Sequence, residues 1–132
     1  MKLKVSAKGG CDVEGDVAHN LIRMSYRGKV GTTEAKAAGE KVVLLLPQMR
    51  PGFAVLSDLS CLDSMDLECA ANIAKTMDIL RAHGVGTVVR IIPDPTKDIG
   101  LNILSIVHFR GKVRVVTCQN SAEAEQVLSR LS

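Results

Sequence analysis

Aromatic side chains are scarce in this chain. Tyr26, Phe53 and Phe109 are the whole set, 2% of 132 residues, and there is no tryptophan. Proteins that hold single-stranded nucleic acid stack bases on aromatic rings, so no nucleic-acid partner is expected. The formal net charge of +3 is small and scattered along the chain, which points the same way. Long apolar runs are missing too. Residues 42–46 form the longest strongly apolar run, far short of the roughly 20 residues a membrane-spanning helix needs. The first residues alternate lysine with apolar side chains and lack the apolar core of a secretory signal. A cytoplasmic protein without a membrane span is therefore expected. The four cysteines, Cys11, Cys61, Cys69 and Cys118, form no CxxC pair, and a cytosolic chain of this size needs no disulfide. Plain thiols are expected, mostly in packing roles.

Chemical motifs are also lacking. There is no GxGxxG, no P-loop and no GxSxG, and Gly84-Val85-Gly86 follows a helical pattern where a phosphate cradle would precede one. No nucleophile, base and oxyanion site assemble at recognisable spacing. His19, His83 and His108 are scattered. The expectation is a protein that is not an enzyme and carries no cofactor.

What the chain does have is aliphatic. Apolar residues make up 46% and charged residues 23%, the balance of an ordinary globular protein, and residues 1–132 suffice for a single domain. The pattern from residue 53 to residue 131 alternates strand and helix. Strand-like runs cover residues 2–7, 20–27, 53–56, 87–92 and 113–117, while residues 8–16, rich in Gly and Asp, read as a connection. Helical stripes follow Ala35, Ala38, Val42, Leu45, Leu46 and Met49, then Leu67, Ala70, Ala71, Ala74, Met77 and Leu80, with further helices over 98–109 and after Asn120. Thr32 and Asp63 or Ser64 are placed to cap helices, and Asn120 with Glu123 forms a capping pair. This predicts an α/β fold with a mostly parallel sheet of four to five strands, an antiparallel N-terminal edge strand and about four helices. A homodimer through the edge strands is an open alternative, although Lys2, Lys4, Arg23 and Arg27 are placed to protect those edges.

In such sheets recognition gathers beyond the carboxyl ends of the strands. The densest polar cluster, residues 58–66, lies after the first of them. Asp58, Ser60, Asp63, Ser64, Asp66 and Glu68 are the lead candidates for an interaction or regulatory loop, with Asp94, Thr96 and Asp98 in a second loop. The plain alternative is that Asp63 and Ser64 cap a helix and Asp66 and Glu68 complement its dipole. Asp58, Asp63 and Asp66 match no cation-binding loop, so no metal is expected. Cys61 lies in the same cluster without a histidine or second cysteine at motif spacing.

The segment Val55-Leu56-Ser57-Asp58-Leu59-Ser60-Cys61-Leu62-Asp63-Ser64-Met65-Asp66 resembles the strand-to-helix loop of STAS domains, a family that includes the anti-sigma factor antagonists of sporulation. Gly84-Val85-Gly86-Thr87-Val88-Val89-Arg90-Ile91, Val113 to Val116 and Ser121-Ala122-Glu123-Ala124 follow in the family's order and spacing. The resemblance is strongest to the antagonist-like, STAS/SEC14-like branch and implies a single STAS-like domain. It implies a non-enzymatic regulatory module with a protein partner. In the antagonists an apolar-Asp pair at the helix start is followed by a phosphorylatable Ser or Thr. Met65-Asp66 matches the pair, but Leu67 and Glu68 follow it, so the usual phospho-acceptor is absent from that place; Ser60 and Ser64 are the substitutes at hand. The same branch implies an alternative, a carrier or sensor of a small apolar ligand, with Met49, Ile99, Ile103, Ile106, Val107 and His108 as pocket residues.

Overall fold

Residues 11–16 alternate Cys11 and Val13 with Asp12 and Glu14, and this period of two makes them a strand despite the glycine and aspartates among them. The computed structural model describes residues 10–94 and 113–131, and residues 2–6 as backbone. The elements run β1 (Lys2–Ser6), β2 (Cys11–Asp16), β3 (Leu21–Val30), α1 (Thr32–Leu45), β4 (Ala54–Met65), α2 (Cys69–Ala82), β5 (Thr87–Ile91), β6 (Arg114–Cys118) and α3 (Ser121–Ser129), with a 3-10 turn over Leu46–Gln48.

The six strands form one sheet in sequence order. β1, β2 and β3 pair antiparallel, and β3 to β6 pair parallel. The α/β arrangement with an antiparallel N-terminal edge holds, with six strands in place of four to five. The extra one is β2, which separates the two strands expected to pair at the edge. Three α-helices lie among the described residues; the fourth expected, over 98–109, falls outside them.

Among the described residues, the two faces of the sheet are covered unequally. On one, Ile22, Met24, Val55 and Val88 pack beneath α1 and α2, which contribute Ala38, Val42, Ile73 and Leu80. On the other, Leu21, Leu56, Val89 and Ile91 meet Ala124 of the nine-residue α3. The apolar stripe of α1 is the one its periodicity predicts, and residues 42–46 are helical as far as Leu45. That of α2 is rotated: Cys69, Ile73 and Leu80 are buried, while Leu67, Ala70 and Ala71 face solvent. Gly31, not Thr32, occupies the α1 N-cap, without a side-chain bond. Neither Asp63 nor Ser64 caps α2, because β4 continues through both and α2 starts only at Cys69. Asn120 does cap α3: its Oδ1 accepts the Glu123 N–H at 2.9 Å, and Glu123 Oε2 accepts the Gln119 N–H at 3.1 Å.

β4 is long enough to outrun its neighbour. It pairs with β5 only from Ala54 to Asp58, whereas its pairing with β3 continues to Met65.

Candidate functional site

The outer half of β4 carries the residues of the candidate loop, and it does so as a strand with an unusual rhythm. Leu59, Leu62 and Met65 are buried, and the pairs between them, Ser60-Cys61 and Asp63-Ser64, are exposed. A regular strand buries every second side chain. The period of three comes from two register shifts against β3: Ser25 and Arg27 face Asp58 and Cys61, and Gly28 and Lys29 face Leu62 and Ser64. Each shift puts one extra residue into β4, as a β-bulge does. Gly28, at φ +61°, takes a backbone conformation opposite the second bulge that a side chain would strain.

Asp58 organises the first bulge. Its half-buried carboxylate accepts the Ser60 N–H at 2.9 Å and the Ser60 hydroxyl at 2.6 Å, both on Oδ1. Asp66 closes the other end of the strip. Its N–H donates to the Val30 carbonyl at 3.0 Å and its own carbonyl accepts the Cys69 N–H at 2.9 Å. A methyl group at Gly31 would stand 3.5 Å from Asp66 Oδ2, so this carboxylate sits by the uncapped N-terminus of α1, where its charge is favourable. Leu67 follows and is 81% exposed. Glu68, also exposed, is the α2 N-cap residue without a capping bond.

The structure thus joins Asp58, Ser60, Asp63, Ser64, Asp66 and Glu68 along one strip, but most of it is bulged strand where a loop was expected. Leu67 was missed because helical periodicity puts it on the buried face of α2. The cue was that Asp66 and Glu68 flank it, leaving it no apolar neighbour in sequence. In the second candidate loop, Asp58 stands opposite Ile91, and Pro93 and Asp94 are exposed just beyond that strand end. Thr96 and Asp98 lie outside the described residues, as do Ile99, Ile103, Ile106, Val107 and His108.

Met49 is half-buried and packs against the larger core cluster. It does not line the cavity between the sheet, α1 and α2, whose walls include Met24, Tyr26, Ile73, Met77 and Arg90. That cavity measures about 50 Å³, room for a few water molecules. Arg90 is only 5% exposed, and its Nη2 donates to Thr117 Oγ1 at 3.0 Å. Its signal in the sequence is that it is the one charged residue in an otherwise apolar, β-branched run.

The thiols divide by burial. Cys61 is exposed on the strip, and Cys11, Cys69 and Cys118 are buried and free. Cys69 begins α2, yet burial raises its pKa first and the Asp66 charge adds to this, so its position confers no thiolate character. Its Sγ lies 3.7 Å from the Val30 carbonyl oxygen, to which it donates. Among the described residues no group of three or more His, Cys, Asp or Glu side chains is arranged to hold a metal ion, and no helix is long and apolar enough to cross a membrane.

No protein-family model matches the chain, and no curated protein matches it. Known structures do. An uncharacterized protein with a SpoIIAA-like fold from Shewanella loihica PV-4 superposes with a TM-score of 0.63 at 12% identity, over 97% of this chain and 92% of that one. The anti-sigma factor antagonist SpoIIAA in its unphosphorylated form gives 0.61 at 10% identity, over 98% of both chains. An anti-sigma factor antagonist from Mycobacterium paratuberculosis gives 0.55 at 16%, over 98% of this chain and 93% of that one. Each match spans nearly the whole chain, and together with the strand order they show that this protein has the SpoIIAA-like, STAS-type fold.

Proposed function

We propose that this protein is a non-enzymatic regulatory module of the cytoplasm that works by binding another protein through the outer half of β4 and the start of α2. The observation that carries the reading is the exposure of Leu67, at 81%, between Asp66 and Glu68 at the end of a doubly bulged strand. A large apolar side chain held in water gains most when a partner buries it, by about 1.5–3 kcal/mol. Bulges re-aim side chains, which suits a surface built to present Ser60, Asp63 and Ser64. The surrounding carboxylates favour a partner with a basic rim. Two of the structural neighbours are described as anti-sigma factor antagonists, and a regulatory role is in keeping with them. Leu67 and Glu68 stand where the antagonists' phospho-acceptor would follow Met65-Asp66, so the module acts without phosphorylation at that place.

The test is affinity capture with the intact chain, comparing wild type, a Leu67→Arg/Asp66→Lys variant, and a control changed at Leu44, exposed in α1. The reading expects a partner retained by wild type and by Leu44→Arg but lost from the strip variant. Identical capture by all three proteins overturns it. The carrier alternative gains no support from the small cavity beneath α1 and α2, and a ligand found bound in native mass spectrometry would revive it.

A further inference from the structure

Among the described residues, β6 is the last strand of the sheet and pairs with β5 alone. Every residue of β5 is buried, whereas β6 leaves Arg114 and Thr117 exposed and Val115 and Val116 half-buried. Its main chain divides by parity. The Arg114 N–H donates to the Gly86 carbonyl at 3.0 Å, and the Cys118 carbonyl accepts the Ile92 N–H at 2.8 Å. Even-numbered residues therefore address β5, and the period of two turns the N–H and C=O of Val115 and Thr117 away from it. An edge that offers such groups is a template for another strand. Proteins blunt such edges with bulges, prolines and charges. Val115-Val116-Thr117-Cys118 carries none of these and stays in step with β5 throughout.

Charge lies at the two ends of the strand. Arg114 opens it, exposed to water. At the far end, Glu123 of α3 reaches back to the residue after Cys118, its Oε2 accepting the Gln119 N–H at 3.1 Å. Burial raises the pKa of the Cys118 thiol, and the Glu123 charge adds to this. A strand with a cation at its start and an anion at its end is complementary to a copy of itself running the opposite way.

We infer that β6 pairs antiparallel with β6 of a second copy of this chain, about a two-fold axis at Val116. Val115 then faces Thr117 of the second copy, and the two exchange both of their hydrogen bonds, as directly opposed residues of an antiparallel ladder do. Val116 faces its own counterpart at the closer, non-bonded position. Arg114 comes beside Cys118 of the second copy and meets that copy's Glu123. The two-fold axis repeats each contact, as in any isologous interface. Val116 also packs with Val127 of α3, both only partly buried, so pairing covers apolar surface as well as main chain. The contact is small, and a weak, exchanging dimer follows from its size.

The test is analytical ultracentrifugation of the intact chain at low salt, from about 10 μM to about 1 mM. The expected result is a monomer that becomes a dimer across this range. Val115→Pro removes an outward donor and leaves the even-numbered bonds to β5 in place, so it is expected to abolish the dimer. Arg114→Glu and Glu123→Arg each set like charges against one another at both ends of the interface. Each is expected to weaken self-association at least about tenfold. Mixed one to one, the two variants bring opposite charges together at both ends, and the mixture is expected to recover the affinity that each lacks alone. That recovery requires both variants to be folded, which covers the case in which Val115→Pro is not. The inference is overturned by a wild-type monomer up to about 1 mM, by wild-type association of Val115→Pro or of either charge variant, or by a mixture that associates no more tightly than its components.

Discussion

Ser60 gives both of its hydrogen-bond donors to one oxygen of Asp58, the N–H at 2.9 Å and the hydroxyl at 2.6 Å. The pair spans the first bulge of β4, so a side chain two residues back sets the course of the strand. Asp58→Ala is expected to lower stability by about 1 kcal/mol, below the usual range for a charged acceptor because the site is half open to water. Ser60→Ala keeps the N–H bond and is expected to lose less. Urea unfolding midpoints check both, and equal midpoints for all three proteins would remove Asp58 from this role.

Leu62 and Leu67 are five residues apart and should behave oppositely. Leu62 is 2% exposed, and Leu62→Ala is expected to cost about 2–5 kcal/mol. Leu67 is 81% exposed, and Leu67→Ala is expected to change stability by less than about 0.5 kcal/mol while weakening partner capture. Thermal unfolding beside a binding assay separates the two effects.

Thiol chemistry offers a quick check of burial. Cys61 is exposed and the other three cysteines are buried, so a disulfide reagent at mild pH should consume one thiol rapidly in the folded protein. All four should react once the chain is unfolded. Cys61→Ser should remove the rapid phase alone.

Alkaline pH should destabilise the fold. Burial, with help from the Glu34 and Asp12 charges, pushes the Cys11 thiol from its ordinary value of 9.0 up to about 12. Above pH 9 the unfolded chain gives up this proton while the folded chain keeps it, so the unfolded state binds fewer protons and stability falls as pH rises. The contribution is whole below pH 9 and is lost between there and about 12. Burial also raises the Tyr26 hydroxyl from 10.0, which adds to the same slope. Urea midpoints measured across this range should fall with pH, and less steeply in Cys11→Ala.

A backbone contact behind β5 predicts a further sensitive position. A methyl group on Gly86 would stand 3.0 Å from the Gly52 carbonyl oxygen and 3.3 Å from its Cα. The neighbour is main chain, also held by the Gly52 N–H bond to the Gly84 carbonyl at 2.7 Å, so it yields poorly. Gly86→Ala should cost about 1–3 kcal/mol, read as a lower melting temperature.

Much of this architecture could be read from apolar spacing. The α1 stripe through Ala35, Ala38, Val42 and Leu45 is buried as its period requires, and β5 announces itself by β-branched residues. Where reading failed, another local signal spoke louder. Gly15 and the aspartates of β2 look like a turn, although Cys11 and Val13 alternate with Asp12 and Glu14. Outer β4 looked like a loop because two bulges change its period from two to three, and no residue type announces a bulge. Leu67 looked buried because helical spacing extends one turn beyond where α2 begins. The grouping of Asp58 to Glu68 was visible in the chain; its presentation depends on pairing with β3, a contact between distant segments.

Because the last seven residues of β4 are gripped by β3 and, among the described residues, by no strand on their other side, this half of the strand resembles a cantilever clamped near Asp58. Detaching it breaks one ladder and leaves the inner pairing with β5 whole, so it should open at lower free energy than the sheet behind it. A partner that grips the tip at Leu67 would then have the leverage to bend the beam without unfolding the protein that supports it.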